Sequence, residues 1–119
     1  MKAIILFAHG ARNPEWANPI LAIRDAIRKR QPQVRAEAAF LEFIAPQLPQ
    51  TIDDLVASGI TEIVIVPMFM AQTGHTTRDL PARLDAARSS HPGLTIHLAG
   101  PIGEAAGVVA AIVDYALEV

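Results

Sequence analysis

The sequence predicts an α/β fold: a three-layer sandwich on a four-stranded parallel sheet. Three observations carry this. Four short apolar runs alternate with four segments of helical period. The connections between them are short, the pattern of parallel strands joined by covering helices. Finally, His9, Glu42 and His75 each fall just past one of the first three apolar runs, and an open parallel sheet binds its ligands outside the carboxyl ends of its strands.

Residues 2–8 form the first run and read as a buried strand. Gly10 to Pro14 is a loop, in which Asn13 can cap a helix that has Pro14 at its first position. The segment 15–30 places Ile20, Ile23 and Ile27 at helical spacing, and Pro19 requires that the helix start there or kink in its first turn. Gln31 to Gln33 is a turn, and 34–42 is the second strand. Pro46 opens a second helix with Leu48, Ile52, Leu55 and Val56 facing inward, and Gly59 ends it. Residues 61–66 are the third strand. Thr76 or Thr77 can cap a third helix running to about Arg88, with a thin apolar face of Leu80, Leu84 and Ala87. Pro92-Gly93 is a turn, Leu94 to Leu98 a short fourth strand, and a last helix of mostly Ala and Val spans about Glu104 to Leu117. No linker or internal repeat interrupts the 119 residues, which read as a single domain, 1–119. With right-handed crossovers, a flavodoxin-like order 2-1-3-4 makes the first three strands neighbours, and His9, Glu42 and His75 cluster.

Composition narrows the function. Net charge is -2, and the one basic cluster, Arg28-Lys29-Arg30, ends a helix, where cations complement the helix dipole. Nothing resembles a nucleic-acid stripe. With no cysteine in the chain, disulfides, thiolate metal sites and a cysteine nucleophile are excluded. No apolar segment approaches the roughly 20 residues of a membrane helix and no signal peptide is read, so a cytoplasmic protein is expected. Apolar residues make up 51%, slightly above the usual range. That excess fits an oligomer interface or a large apolar cleft as well as an alanine-rich core.

His, His and Glu at adjacent strand ends, with strands about 4.8 Å apart, suit a divalent transition metal and also proton transfer. Gly10 permits a tight turn and close approach of a ligand. For Glu42, between Leu41 and Phe43, the competing reading is a salt bridge. Met68, Phe69 and Met70 form either a buried hairpin or a lip for a flat ligand. Arg12 and Arg78 follow His9 and His75 by three residues and either meet carboxylates of an acidic substrate or are simply solvated. His91 reads as exposed in its turn and His97 as structural.

These residues also resemble a family. Ala8-His9-Gly10-Ala11-Arg12-Asn13-Pro14 resembles the GHGSRxP opening of the CbiX/SirB sirohydrochlorin chelatases, with Ala for the first Gly and for Ser. Glu42-Phe43-Ile44-Ala45-Pro46 is similar to the family's second segment. Val66-Pro67-Met68-Phe69-Met70, Gly74-His75 and Arg78-Asp79-Leu80-Pro81 resemble its VPxFLxxGxHxxxDiP segment. The resemblance spans nearly the whole chain. It implies a chelatase-like half that inserts cobalt(II) or iron(II), with nickel also accommodated, into sirohydrochlorin without a nucleotide or any organic cofactor. It implies that His9 and His75 bind the metal with Glu42 beside them. The length matches the short form, in which two chains form a homodimer that imitates a two-lobed enzyme. No histidine-rich tract is present.

Chelation requires that the metal shed water, that two pyrrole N–H protons leave to a base, and that the macrocycle be held and bent. Imidazole serves as ligand or base near neutrality. Arg12 and Arg78 then anchor carboxylates, while Met68, Phe69 and Met70 face the ring. Two other readings stay open. Histidine-based phosphoryl transfer lacks its Arg before His9, where Ala8 stands. A metal-binding or carrier module would bind metal without turnover.

Overall fold

The structure is a computed structural model that describes residues 1–71 and 74–119, the side chains of residues 74–78 excepted. Its elements follow the expected alternation: β1 Lys2–Ala8, α1 Asn18–Arg30, β2 Arg35–Phe40, α2 Leu48–Ala57, β3 Glu62–Pro67, α3 Gly74–Ser90, β4 Thr95–Leu98 and α4 Ala106–Glu118. Two short 3-10 turns, Pro14–Ala17 and Ile102–Glu104, precede α1 and α4. The four strands form one all-parallel sheet in the order β2-β1-β3-β4.

Local chemistry explains most boundaries. The Asn13 side chain accepts from the Glu15 N–H at 3.0 Å and starts the first 3-10 turn with Pro14 in it. α1 begins at Asn18, which leaves Pro19 in the first turn, where its missing N–H is harmless. Gly59, at φ +92°, follows the end of α2. α2 itself begins at Leu48 rather than Pro46, with Pro49 in its first turn. α3 begins at Gly74, ahead of the expected Thr76 or Thr77 cap, so His75 lies in the first helical turn and not in the loop before it.

The two faces of the sheet are covered unequally. On one face Ala3, Ile5 and Phe7 of β1, Ile63 and Ile65 of β3 and Ile96 of β4 pack under Leu48, Ile52 and Leu55 of α2 and Leu80 and Leu84 of α3. This is the main core. On the other face α1 and the turn before it cover β1 and β2, where Ala8, Ala38, Phe40 and Ala17 form a smaller core with Ile20 and Leu21 against it. The last helix departs from expectation. No residue of α4 is buried, and its main contacts among the described residues are with the 3-10 turn before it. The radius of gyration, 14.7 Å, accordingly exceeds the roughly 13.5 Å of a compact chain of this length.

Candidate metal-handling site

The hydrogen-bond ladder between β1 and β2 runs past the ends of both strands. Leu41 N–H donates to Ala8 O at 3.0 Å, and Glu42 N–H donates to His9 O at 3.1 Å. This places His9 beside Glu42 at the carboxyl edge of the sheet. Their side chains converge, with His9 Nε2 3.5 Å from Glu42 Oε1. Each is about half exposed, 54% and 50%, so the pair opens to solvent instead of closing on the core.

Gly10 makes this approach possible. Its φ is +97°, and a Cβ built on it would stand 1.9 Å from Glu42 O. Any side chain would therefore drive the backbone of the first loop away from Glu42. Beyond Glu42 the chain turns sharply, with Ile44 N–H donating to Glu42 O at 2.9 Å across Phe43, whose φ is +69°. A phenylalanine there is strained. The turn holds its ring out in solvent, 56% exposed, with the Arg12 guanidinium carbon 5.3 Å from the ring centre.

Phe69 buttresses His9. Its ring meets His9 edge-on at 6.5 Å between centroids and meets Phe7 of the core at 5.9 Å. Met68 N–H donates to Phe7 O at 2.7 Å, continuing β3 alongside β1. The three apolar residues of this loop diverge. Met68 packs against the smaller core, Phe69 against the main core, and Met70 stands 67% exposed. Of the expected lip, Met70 offers the widest open surface, and Phe43 adds a ring that the sequence did not single out. Only its place next to Glu42 hinted at it, because a left-handed conformation is not legible at a phenylalanine.

His75 and Arg78 sit in the first turns of α3, after β3, and their side chains lie outside the described residues. Among the described residues no three His, Asp or Glu side chains gather around one point. The structure thus brings together His9 and Glu42, with Phe69 against His9 and with Phe43, next to Glu42 in the chain, carrying the Arg12 guanidinium over its ring. His97 is exposed on β4. His91 is not merely an exposed turn residue: its Nε2 lies 2.8 Å from Asp53 Oδ1, tying the α3–β4 turn to α2.

The His9–Glu42 spacing has a chemical meaning. Nitrogen and oxygen ligands sit about 2.1 Å from a first-row divalent ion. Two such atoms about 110° apart around one ion stand about 3.4 Å from each other. The observed 3.5 Å matches that bite, so the pair can grip one face of an ion with little rearrangement.

Comparison with known proteins agrees with this fold. The CbiX family model matches residues 3–119. A sirohydrochlorin cobaltochelatase of Methanococcus maripaludis is 33% identical over 81 residues, covering 68% of this chain and 56% of that protein. A second, from Methanococcus aeolicus, is 36% identical over 81 residues and is covered over 57% of its length. The chain therefore spans little more than half the length of these relatives. Among solved structures, a CbiX protein assigned to cobalamin biosynthesis from Marinobacter aquaeolei superposes with a TM-score of 0.87 at 29% identity, covering 99% of this chain and 96% of that one. The sirohydrochlorin chelatase SirB from Bacillus subtilis subspecies spizizenii, in complex with cobalt, superposes with a TM-score of 0.82 at 25% identity, covering 99% of this chain and 50% of that one. With the family model matched over nearly its whole length, an all-parallel 2-1-3-4 sheet and a histidine–carboxylate pair at the sheet's carboxyl edge, the chain belongs to the CbiX family.

Proposed function

We propose that this chain is a sirohydrochlorin chelatase that inserts cobalt(II) or iron(II) into the macrocycle, with His9, Glu42 and His75 as the metal-handling residues. The observation that carries the reading is the 3.5 Å His9–Glu42 pair at the open sheet edge. Its support is the family to which the chain belongs and the chelatase names of its relatives. The reaction is redox-neutral: a divalent ion enters, two pyrrole protons leave, and the ring keeps its oxidation level.

In this reading the ion arrives hydrated, and His9 Nε2 and Glu42 Oε1 replace two of its waters on one side. The opposite side stays open to the macrocycle. As the ring nitrogens take over the ion, the His9 imidazole and the Glu42 carboxylate that it leaves are freed to take up one pyrrole proton each. Arg12 supplies positive charge for the peripheral carboxylates of sirohydrochlorin, and Arg78 is assigned the same role. The rings of Phe43 and Phe69 and the side chains of Met68 and Met70 supply apolar surface for the tetrapyrrole. No organic cofactor takes part.

The assembly in this reading is a homodimer. The chain matches half the length of a SirB chain with closely similar geometry, so a second copy supplies the opposing wall of the cleft. No helix among the described residues is long and apolar enough to cross a membrane. A cytoplasmic location is part of the proposal. The test is purified protein with sirohydrochlorin and cobalt(II), iron(II) or nickel(II) in turn, followed by the absorbance change of the macrocycle. Insertion well above the spontaneous rate supports the reading. Tight metal binding without turnover would make the protein a metal carrier instead.

A further inference from the structure

Arg12 and Glu42 carry opposite charges on two segments that the fold presses together. Gly10 lies so close to Glu42 that a Cβ on it would stand 1.9 Å from Glu42 O, and Arg12 follows Gly10 by two residues. A long cationic side chain beside an open carboxylate ordinarily pairs with it. Arg24, Arg28, Arg35 and Arg88 each meet a carboxylate in this way. Arg12 does not. Glu42 Oε1 faces His9 Nε2 at 3.5 Å, and among the described residues Arg12 has no carboxylate partner. Its guanidinium carbon lies instead 5.3 Å from the centre of the Phe43 ring, within the roughly 6 Å reach of a cation–π contact. The ring stands there because Phe43 is held at φ +69°, a conformation that phenylalanine rarely adopts.

We propose that Phe43 is a positioning residue: its ring holds the Arg12 guanidinium away from Glu42 and so leaves that carboxylate free for the incoming metal ion. The inference rests on the reading of His9 and Glu42 as metal-handling residues. If Arg12 folded onto Glu42, the ion pair would occupy the oxygen that faces His9. It would also set a positive charge where a divalent cation has to arrive, and like charges repel. A guanidinium does not lose its proton near neutrality, so only its placement keeps the two apart. A second carboxylate that held Arg12 would itself compete for the metal, because carboxylates are metal ligands. An aromatic face attracts the cation without offering a ligand oxygen. The ring is fixed by the turn in which Ile44 N–H donates to Glu42 O at 2.9 Å. One short segment therefore carries both the metal-handling carboxylate and the ring that guards it.

The test uses cobalt(II) alone, without macrocycle, titrated calorimetrically into the native chain and its variants at low ionic strength. His9→Ala is expected to weaken cobalt binding, which locates the ion at the pair. Phe43→Leu keeps an apolar side chain on the same backbone but removes the ring face. It is expected to weaken cobalt binding about three- to fivefold, the weight of an exposed ion pair that now competes. Salt at about 0.5 M should erase most of that loss, since it screens such a pair. Adding Arg12→Gln to Phe43→Leu is expected to restore near-native affinity. In the native background Arg12→Gln should change affinity by less than about twofold, because there the cation is already held off. Phe43→Tyr, which keeps a ring, should bind as the native chain does. Circular dichroism checks that each variant is folded. If Phe43 only shapes the backbone, the double variant stays as weak as Phe43→Leu, and that result overturns the inference. Native affinity in Phe43→Leu overturns it as well. Cobalt binding that ignores His9→Ala would instead remove the metal-site reading, and the inference with it.

Discussion

Replacing Gly10 by alanine tests whether the close approach of two backbones builds the site. Two terms act at this position. An L-residue at φ +97° is in the left-handed half of conformational space, at a cost of about 1–2 kcal/mol. In addition the new methyl would stand 1.9 Å from Glu42 O and 3.0 Å from Glu42 C, contacts that cannot persist. The β1–β2 ladder must then open at His9 and Glu42. Gly59 separates the terms, since its φ is +92° but a Cβ there meets nothing within 4 Å. Gly59→Ala is expected to lose about 1–2 kcal/mol. Gly10→Ala is expected to lose about 1–3 kcal/mol more, the range for overpacking a rigid site. Urea melts with unchanged slope would place the Gly10→Ala midpoint roughly 1 M below that of Gly59→Ala, because slopes for small domains are about 1–3 kcal/mol per M. Metal insertion should fall with Gly10→Ala and not with Gly59→Ala, because only the former moves His9 from Glu42. Equal melts and equal rates for the two variants would refute the argument that this contact sets the site.

Three further outcomes follow from the same geometry. His9→Ala and Glu42→Gln should each slow insertion by about a hundredfold or more, the scale of a lost base, with circular dichroism unchanged because both side chains are half exposed; His97→Ala, on β4 away from the edge, should keep near-native rates. Phe43→Gly should leave stability level or raised by up to about 1 kcal/mol, since glycine adopts φ +69° freely, yet it should raise KM for sirohydrochlorin; an unchanged KM would remove Phe43 from the substrate surface. His91→Gln, which breaks the pair with Asp53, should cost under about 1 kcal/mol in a thermal melt, as exposed pairs do, and leave insertion unaffected.

What the sequence determined by itself was the order of elements and the meeting of His9 with Glu42. Alternating apolar runs and helical periods are local signals, and short connections with right-handed crossovers leave few ways to assemble them. Once β1 and β2 are parallel neighbours, the residues just past each strand must run side by side, and Glu42, two residues past β2, bonds to the backbone of His9, one residue past β1. The outcomes decided by tertiary structure depend on contacts between distant segments. Phe43 is left-handed because the chain turns sharply behind Glu42 on its way to α2, and nothing in a Phe-Ile pair announces that. Met68 and Phe69 part to opposite cores because strand alternation continues beyond β3. His91 finds Asp53 across 38 positions of sequence. α4 reads as an ordinary covering helix, since an apolar pattern states that a face must be buried but not against what. Only the assembled sheet, with one face closed by α2 and α3 and the other closed on one side by α1, shows that no residue of this helix is buried among the described residues.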